Sequence, residues 1–427
     1  MVPAVAFAAD DVTEPVKVDA YNQDVSETVG DVTIAENGSM SVVANASDGY
    51  SASVTTGNIT APNGSGAVAQ AEGSGTSASV TINGDVEVGG MGIGAASGGG
   101  ATADVTVNGN VTSSGAVSSL EIASGIQAMA FENGATTVTI NGDVKAPGAG
   151  AYLISASDST VNLVVDGDLT SDMVGLALAY ESEKAAIDAL VTGTIDGKTL
   201  GVDLNGAFEG DVPKTVVLTV WKIILNETGI AAGTVRDISP SDDTGYQPQI
   251  TQNENFEKTI KYIVKVEQPT AGGTVTVTDA EGNALDKSHG YEIAYEGDKV
   301  LLKVNVEDGY KLMAAYNGDG EKVALVQDAD GNYYYEVPKG GGVYLSVELE
   351  KVNGDEPAEE EEPISAPEEE QASPTKVASE GSGLPKTADS APGLLVLMTI
   401  TLAGAGLALS GVATTRKRQQ KAGKHVR

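Results

Sequence analysis

Val138-Thr139-Ile140-Asn141-Gly142-Asp143-Val144 alternates apolar and polar side chains, then breaks at a glycine followed by a carboxylate. Close variants stand at Val80–Val86 (VTINGDV), Val105–Val111 (VTVNGNV) and Leu163–Leu169 (LVVDGDL). The core of the phrase is a triplet: glycine, a hydrogen-bonding residue, then a β-branched residue or leucine. It recurs seven times, at Gly30-Asp31-Val32, Gly57-Asn58-Ile59, Gly84-Asp85-Val86, Gly109-Asn110-Val111, Gly142-Asp143-Val144, Gly167-Asp168-Leu169 and Gly193-Thr194-Ile195. Successive glycines are 27, 27, 25, 33, 25 and 26 residues apart.

A strand–corner–strand unit with a period near 26 predicts one coil of a β-solenoid. Alternation puts Val80, Ile82 and Val86 on one face and Thr81 on the other. Glycine permits a left-handed corner, and the Asp or Asn after it tolerates the same region and bonds its own backbone. Stacked coils would align the corners at Gly84-Asp85, Gly109-Asn110, Gly142-Asp143 and Gly167-Asp168 into a structural ladder. A second short strand of small residues stands in most coils, as in Gly66–Ala69, Gly92–Ala96, Gly125–Ala130 and Leu176–Ala179. The triplets at Gly30, Gly57 and Gly193 lack the preceding apolar pair and read as terminal or decayed rungs.

The expected fold is therefore all-β: a solenoid of about seven 26-residue coils over residues 20–225, wound as a right-handed parallel β-helix. One coil buries too little to offset the ordering of its own chain, so coils must stack and both ends need caps. Tyr21 to Val25 is the expected start of the N-terminal cap. Thr215 to Ile224 (TVVLTVWKII), with the only Trp, is the expected closure. A string of β-sandwich repeats is the other reading, but the period is too short for it.

The 427 residues include 53 Gly, 4 Phe, 1 Trp and no Cys, which suits a long thin core of small side chains. A net charge of −35 repels phosphate backbones and argues against nucleic-acid partners. The absence of Cys excludes disulfides, thiol catalysis and thiolate metal sites.

The ends carry sorting information. Ala6-Phe7-Ala8 matches a signal-peptide cleavage site behind an apolar stub, so residues 1–9 read as a signal remnant. At the other end stand Leu384-Pro385-Lys386-Thr387-Ala388, an apolar run from Leu394 to Val412, and a basic tail of Arg416, Lys417, Arg418, Lys421, Lys424 and Arg427. The run is long enough to cross a bilayer once as a transmembrane helix, and the tail sets its orientation. Residues 384–427 resemble the sorting signal of sortase-anchored (LPXTG-type) surface proteins of Gram-positive bacteria. That resemblance implies secretion, transient membrane retention, attack by a sortase on the carbonyl of Thr387, and covalent transfer to peptidoglycan. Ala388 stands where the family has Gly, which leaves the sortase class open. Cleavage there removes one acid and six basic residues, a net +5, so −35 becomes −40.

Residues 352–383 are rich in Glu and Pro and lack aromatics, the composition of a disordered wall spacer. Residues 226–269 read as a connecting segment. From 270 to 351 tyrosines become frequent and strand signals close together: GGTVTV, EGDKVLLKVNVEDGYKL, YYYEVP and VYLSVEL. This order resembles the internalin-type B repeat, implying a small β-sandwich or β-grasp-like module that serves as a stalk or, in some members, binds a ligand.

Chemistry is sparse. Between Asp24 and Leu200 there is no Arg and no His, and only Lys145, Lys184 and Lys198, so a β-helix polysaccharide lyase would lack its base. A carboxylate pair for glycoside hydrolysis stays open in principle. The Asp column could offer Ca²⁺ oxygens, but the calcium-binding nonapeptide is missing, so no cofactor is expected. His289 reads as a solvated turn residue. The expected function is that of a wall-anchored adhesin meeting a host or community glycan or protein. A purely structural spacer is the alternative, and a glycan-active enzyme a third.

Overall fold

The computed structural model describes residues 9–115, 124–198, 200–206, 214–224, 259–318, 322–327 and 331–352. Residues 1–8 of the signal remnant, 353–383 of the wall spacer, the sorting motif Leu384 to Ala388 and the apolar run from Leu394 to Val412 lie outside the described residues. Among the described residues there is no helix.

The chain winds as a parallel β-solenoid with three strands per coil. One coil runs Ser65–Glu72, Ser77–Ile82 and Val86–Val88, and the next Ile93–Gly98, Thr102–Val107 and Val111–Ser113. Strands of successive coils pair in parallel, and the central coils keep one register: Val80 lies against Val105, Val105 against Val138, and Val138 against Leu163. The first face is eight strands deep, from Val16–Ala20 to Leu200–Gly206. The separation of 33 residues between Gly109 and Gly142 leaves these pairings intact; the extra length falls between Gly115 and Ser124.

Alternation along each strand builds columns of buried side chains. On the second face Val54, Val80, Val105, Val138, Leu163, Ala189 and Leu218 stack, all buried. On the first face the column begins Ala44, Ala69, Ala95, Ala128 and continues Leu153, Leu178, Leu204. The interior is thus narrow near the N-terminus and wider beyond Leu153, where fully buried Tyr180 fills part of it. At about 25 cal/mol per Å² of apolar surface, each added coil gains by covering its neighbour's open face as well as its own.

The corners differ from the expected chemistry. None of the seven triplet glycines has a positive φ. Most of the solenoid's left-handed residues sit instead between the first and second faces, as at Asp48-Gly49, Gly99-Gly100 and Glu132-Asn133. Nor does the Asx side chain bond its own backbone. Its Oδ1 accepts from the backbone N–H of the matching residue in the next coil: Asp31 from Asn58 (2.7 Å), Asn58 from Asp85 (3.0 Å), Asp85 from Asn110 (2.7 Å), Asn110 from Asp143 (2.9 Å) and Asp143 from Asp168 (2.8 Å). The series opens with Asp11 and Asp31 (2.8 Å) and closes with Asp168 and Thr194 (2.7 Å). Glycine is required by closeness. A Cβ on Gly109 or Gly167 would stand 2.5 Å from the Oδ1 of Asp85 or Asp143. A second glycine column opens the first face: Gly92, Gly125, Gly150 and Gly175 each lie against the backbone of the next coil.

The outer triplets also belong to complete rungs. Ser51–Thr56 precedes Gly57, with Ala52, Val54 and Thr56 turned inward, and Ile187, Ala189 and Val191 precede Gly193. Ala and Thr fill the positions that Val and Ile hold elsewhere, so the strand is present where the apolar signal is weak. Tyr21 and Val25 belong to the first rung and its corner.

Val216–Ile223 is a rung rather than the closure. It pairs in parallel with Ala186–Gly197 on one side and with Ile260–Ile263 on the other. The parallel stack ends one strand later, where Tyr291–Ala294 pairs antiparallel with Ile260–Ile263. The chain after Lys265 forms two four-stranded sheets. One orders Lys265–Val266, Tyr344–Lys351, Tyr310–Asn317 and Val323–Ala324; the other orders Gly273–Thr278, Lys299–Val306, Tyr333–Glu336 and Val326–Gln327. Their buried Val275, Val277, Val300, Leu302, Ala315 and Leu345 join the same hydrophobic cluster as the solenoid interior. Trp221 locks the junction: its Nε1 donates to Val343 O (3.3 Å), its carbonyl accepts from Gly342 N (2.8 Å), and Lys265 Nζ lies 3.9 Å from its ring centre. Tyr262 is 3% exposed there, and burial, with the nearby Glu296 charge, pushes its phenol far above the usual range.

The free edge of Gly273–Thr278 is blocked from within. Gln268 donates from Nε2 to Val275 O (2.8 Å) and accepts at Oε1 from Val275 N (3.0 Å), standing in for a neighbouring strand.

Two substitutions separate closeness from φ at the triplet corner. Gly109→Ala should lower unfolding free energy by about 1–3 kcal/mol through overpacking. Asp85→Ala should cost about 0.5–1.5 kcal/mol through its lost hydrogen bond. The double variant should recover only part of the clash, because Gly84 O also stands 2.6 Å from the new methyl. Urea unfolding measures all three; an Ala at Gly109 with no cost would refute the account.

Candidate functional site

The second face of the solenoid turns one regular surface outward. Thr55, Thr81, Thr106 and Thr139 occupy one row across four coils, and Ser53, Ser79, Asp104, Thr137 and Asn162 the next. Strand spacing sets neighbours in a row about 4.8 Å apart, and side chains two residues apart along a strand about 6.7 Å apart. All but the exposed Asp104 are half-buried. Hydrogen bonds between coils steady the array: Ser53 to Ser26 (2.8 Å) and Ser77 to Ser51 (2.9 Å). At its border the residues before three successive triplet glycines form an amide ladder, Asn108 to Asn83 (3.1 Å) and Asn141 to Asn108 (2.8 Å), with Thr192 on Asp166 (2.8 Å) farther along. Sequence reading missed both features. The signal was there, since Asn83, Asn108 and Asn141 share one offset from the repeated glycine.

The structure places Asp85, Asn110, Asp143 and Asp168 in one column at the corner, each with Oδ1 committed to the next coil's backbone. Among the described residues no group of three or more metal-capable side chains gathers. Two of the solenoid's lysines pair with the coil before them: Lys184 with Asp158 (3.0 Å) and Lys198 with Asp172. Both pairs are exposed. The contact with Asp172 leads the influences that hold the Lys198 ammonium above its ordinary pKa.

His289 is an exposed turn residue, as its sequence context suggested, and the structure adds a partner for it. It sits in the turn of a hairpin between Lys287–Ser288 and Tyr291–Ala294, with φ 53° followed by Gly290 at 87°. Its Nε2 lies 3.2 Å from Asp188 Oδ2 on the solenoid, and its Nδ1 lies 3.3 Å from Ser288 Oγ. Ser288 Oγ in turn meets the buried Thr219 Oγ1 at 2.8 Å. Histidine is among the residues that tolerate a left-handed turn, and this one reaches back across two strands. The order Ser, His, Asp resembles a hydrolytic relay. Ser288 also meets Thr219, with either hydroxyl able to donate, and the three contacts together clasp the module to the solenoid.

Glu181 is half-buried, and its desolvation alone raises its pKa. The fold then holds the proton more tightly than the unfolded chain. Stability therefore falls as pH climbs above the ordinary glutamate range and is unaffected below it.

Comparison with known protein families, with curated proteins and with solved structures finds no match for this chain.

Two measurements follow. Asp188→Asn should lower unfolding free energy by at most about 1 kcal/mol, as partly exposed pairs do. A loss several times larger would mean that the contact carries more than a clasp. Glu181→Gln should raise Tm at pH 7 and leave it unchanged near pH 3; a gain that persists in acid would contradict desolvation as the cause.

Proposed function

We propose that this chain is a surface protein fastened to the cell wall by a sortase at Leu384 to Ala388, and that it is not an enzyme. The second face of the solenoid is its interaction surface. The rows of Ser and Thr hydroxyls on that face carry the reading. They form a flat, nearly uncharged surface on an otherwise acidic protein, suited to many weak hydrogen bonds made in register. Its ligand would be a host or community glycan, or a protein that presents a matching polar face. The commitment of each corner Oδ1 to backbone weighs against a carboxylate pair free for hydrolysis.

The rest follows from the sequence. A signal peptide exports the chain, the Leu394 to Val412 run holds it in the membrane as a helix, and sortase transfers Thr387 to peptidoglycan. The acidic spacer then lifts the folded part away from the wall. Right-handed winding is the expected hand of parallel crossovers, and the two sheets after Lys265 form the sandwich of a stalk module. A spacer without a ligand is the second reading. The sheet that runs unbroken from solenoid into module favours it, because such continuity suits a stiff rod.

Anchoring and binding are tested separately. Thr387→Ala should leave the protein shed or in the membrane fraction, and undiminished wall attachment would end the sortase reading. Exchange of Thr81, Thr106 and Thr139 for lysine should cut binding to a glycan or matrix-protein array at least about tenfold, or about 1.4 kcal/mol. A wild-type chain that binds nothing on such arrays favours the spacer.

A further inference from the structure

A groove of about 210 Å³ opens in the module, where the chain leaves Lys265–Val266 and runs past Tyr344–Lys351. It is small beside the pockets that hold drug-sized ligands, so its occupant is a single short group. Its walls divide by chemistry. Pro269, Val347 and Leu349 supply apolar surface, while Glu267, Glu348 and Lys322 supply charge. Each carboxylate accepts a hydrogen bond from a tyrosine. Tyr344 donates its hydroxyl to Glu267 Oε2 (2.7 Å), and Tyr316 to Glu348 Oε2 (2.8 Å). These bonds raise both phenol pKa values, as donation to a carboxylate should. Each engages one oxygen, Oε2, and among the described residues no hydrogen bond to Oε1 of either glutamate is seen. The one ammonium in the lining belongs to exposed Lys322, 5.1 Å from the Tyr316 ring centre, so a cation already stands at this place.

We propose that this groove takes the side chain of a lysine from a partner polypeptide. Its four-carbon stem suits Pro269, Val347 and Leu349, and its ammonium suits the paired glutamates. The net charge of −35 steers a cation toward the site and repels phosphate, sulfate and uronate groups. A polypeptide rather than a free amine is favoured by the sheet edge. Lys265–Val266 is the outermost strand of its sheet, and Lys265 and Glu267 donate their N–H groups inward to Val343 and Leu345. The backbone of Val266 between them faces away, where an extended partner could align.

The test uses the full-length chain and three probes in calorimetric titration. These are a short peptide with one central lysine, the same peptide with norleucine, and n-butylamine. The lysine peptide should bind at least about tenfold more tightly than the norleucine peptide, and also more tightly than n-butylamine. Glu267→Gln combined with Glu348→Gln should abolish that preference. Lys322→Ala, an exposed change that spares the fold, should tighten lysine binding by removing the resident ammonium. Equal binding of lysine and norleucine peptides overturns the proposal, as does a double variant that binds like wild type or weaker lysine binding by Lys322→Ala. Tighter binding of n-butylamine than of the lysine peptide overturns the assignment to a polypeptide.

Discussion

An oxygen of one coil lies where a Cβ of the next would stand, and the solenoid rests on that contact. Each Asp or Asn at the triplet corner accepts from the backbone of its successor, so the corner is bonded across coils rather than within them. The bond fixes the rise from coil to coil. It also fixes rotation, because the acceptor and the glycine above it must coincide. Once the corner is pinned, the inward columns fall into register and need only be apolar and of the right size. This explains why the interior tolerates Ala at one level and Leu at another while the corner keeps its glycine. Asn at positions 58 and 110 interrupts the run of aspartates, which reduces repulsion along a column of stacked carboxylates.

A solenoid built this way has an end problem. Its last coil offers open strand edges and an uncovered core. The chain resolves it by continuing the second face for one more strand and then reversing direction. The antiparallel strand Tyr291–Ala294 stops the parallel stack, and Trp221, Lys265 and the Asp188–His289 contact hold the module against the last rungs. Module and solenoid thus share one core. Gln268 shows the same economy at a smaller scale, where one side chain replaces a whole strand along an exposed edge.

The two candidate interaction surfaces differ in kind. The second face of the solenoid is flat, repetitive and nearly uncharged, so it suits an extended partner through many equal contacts. The groove near Glu267 and Glu348 is singular, charged and small, so it suits one side chain. A protein that carried both could hold one partner loosely along its length and another at a defined point.

The sequence by itself determined the period, the parallel all-β winding and the residues of the corner, because glycine followed by Asp or Asn every 26 residues has few other solutions. It also carries the stretch from Leu384 to Arg427 on which the sortase proposal rests, and that reading draws on no part of the fold. Tertiary structure decided how the corner works. A glycine kept for φ and a glycine kept for closeness look alike in a sequence, and only the position of the neighbouring coil tells them apart. It decided that Ser51–Thr56 and Val216–Ile223 are rungs, since each is placed by the strands that pair with it on either side. It decided the partner of His289 as well, because Asp188 lies 101 positions earlier in the chain and meets it only after the last coil has been laid down.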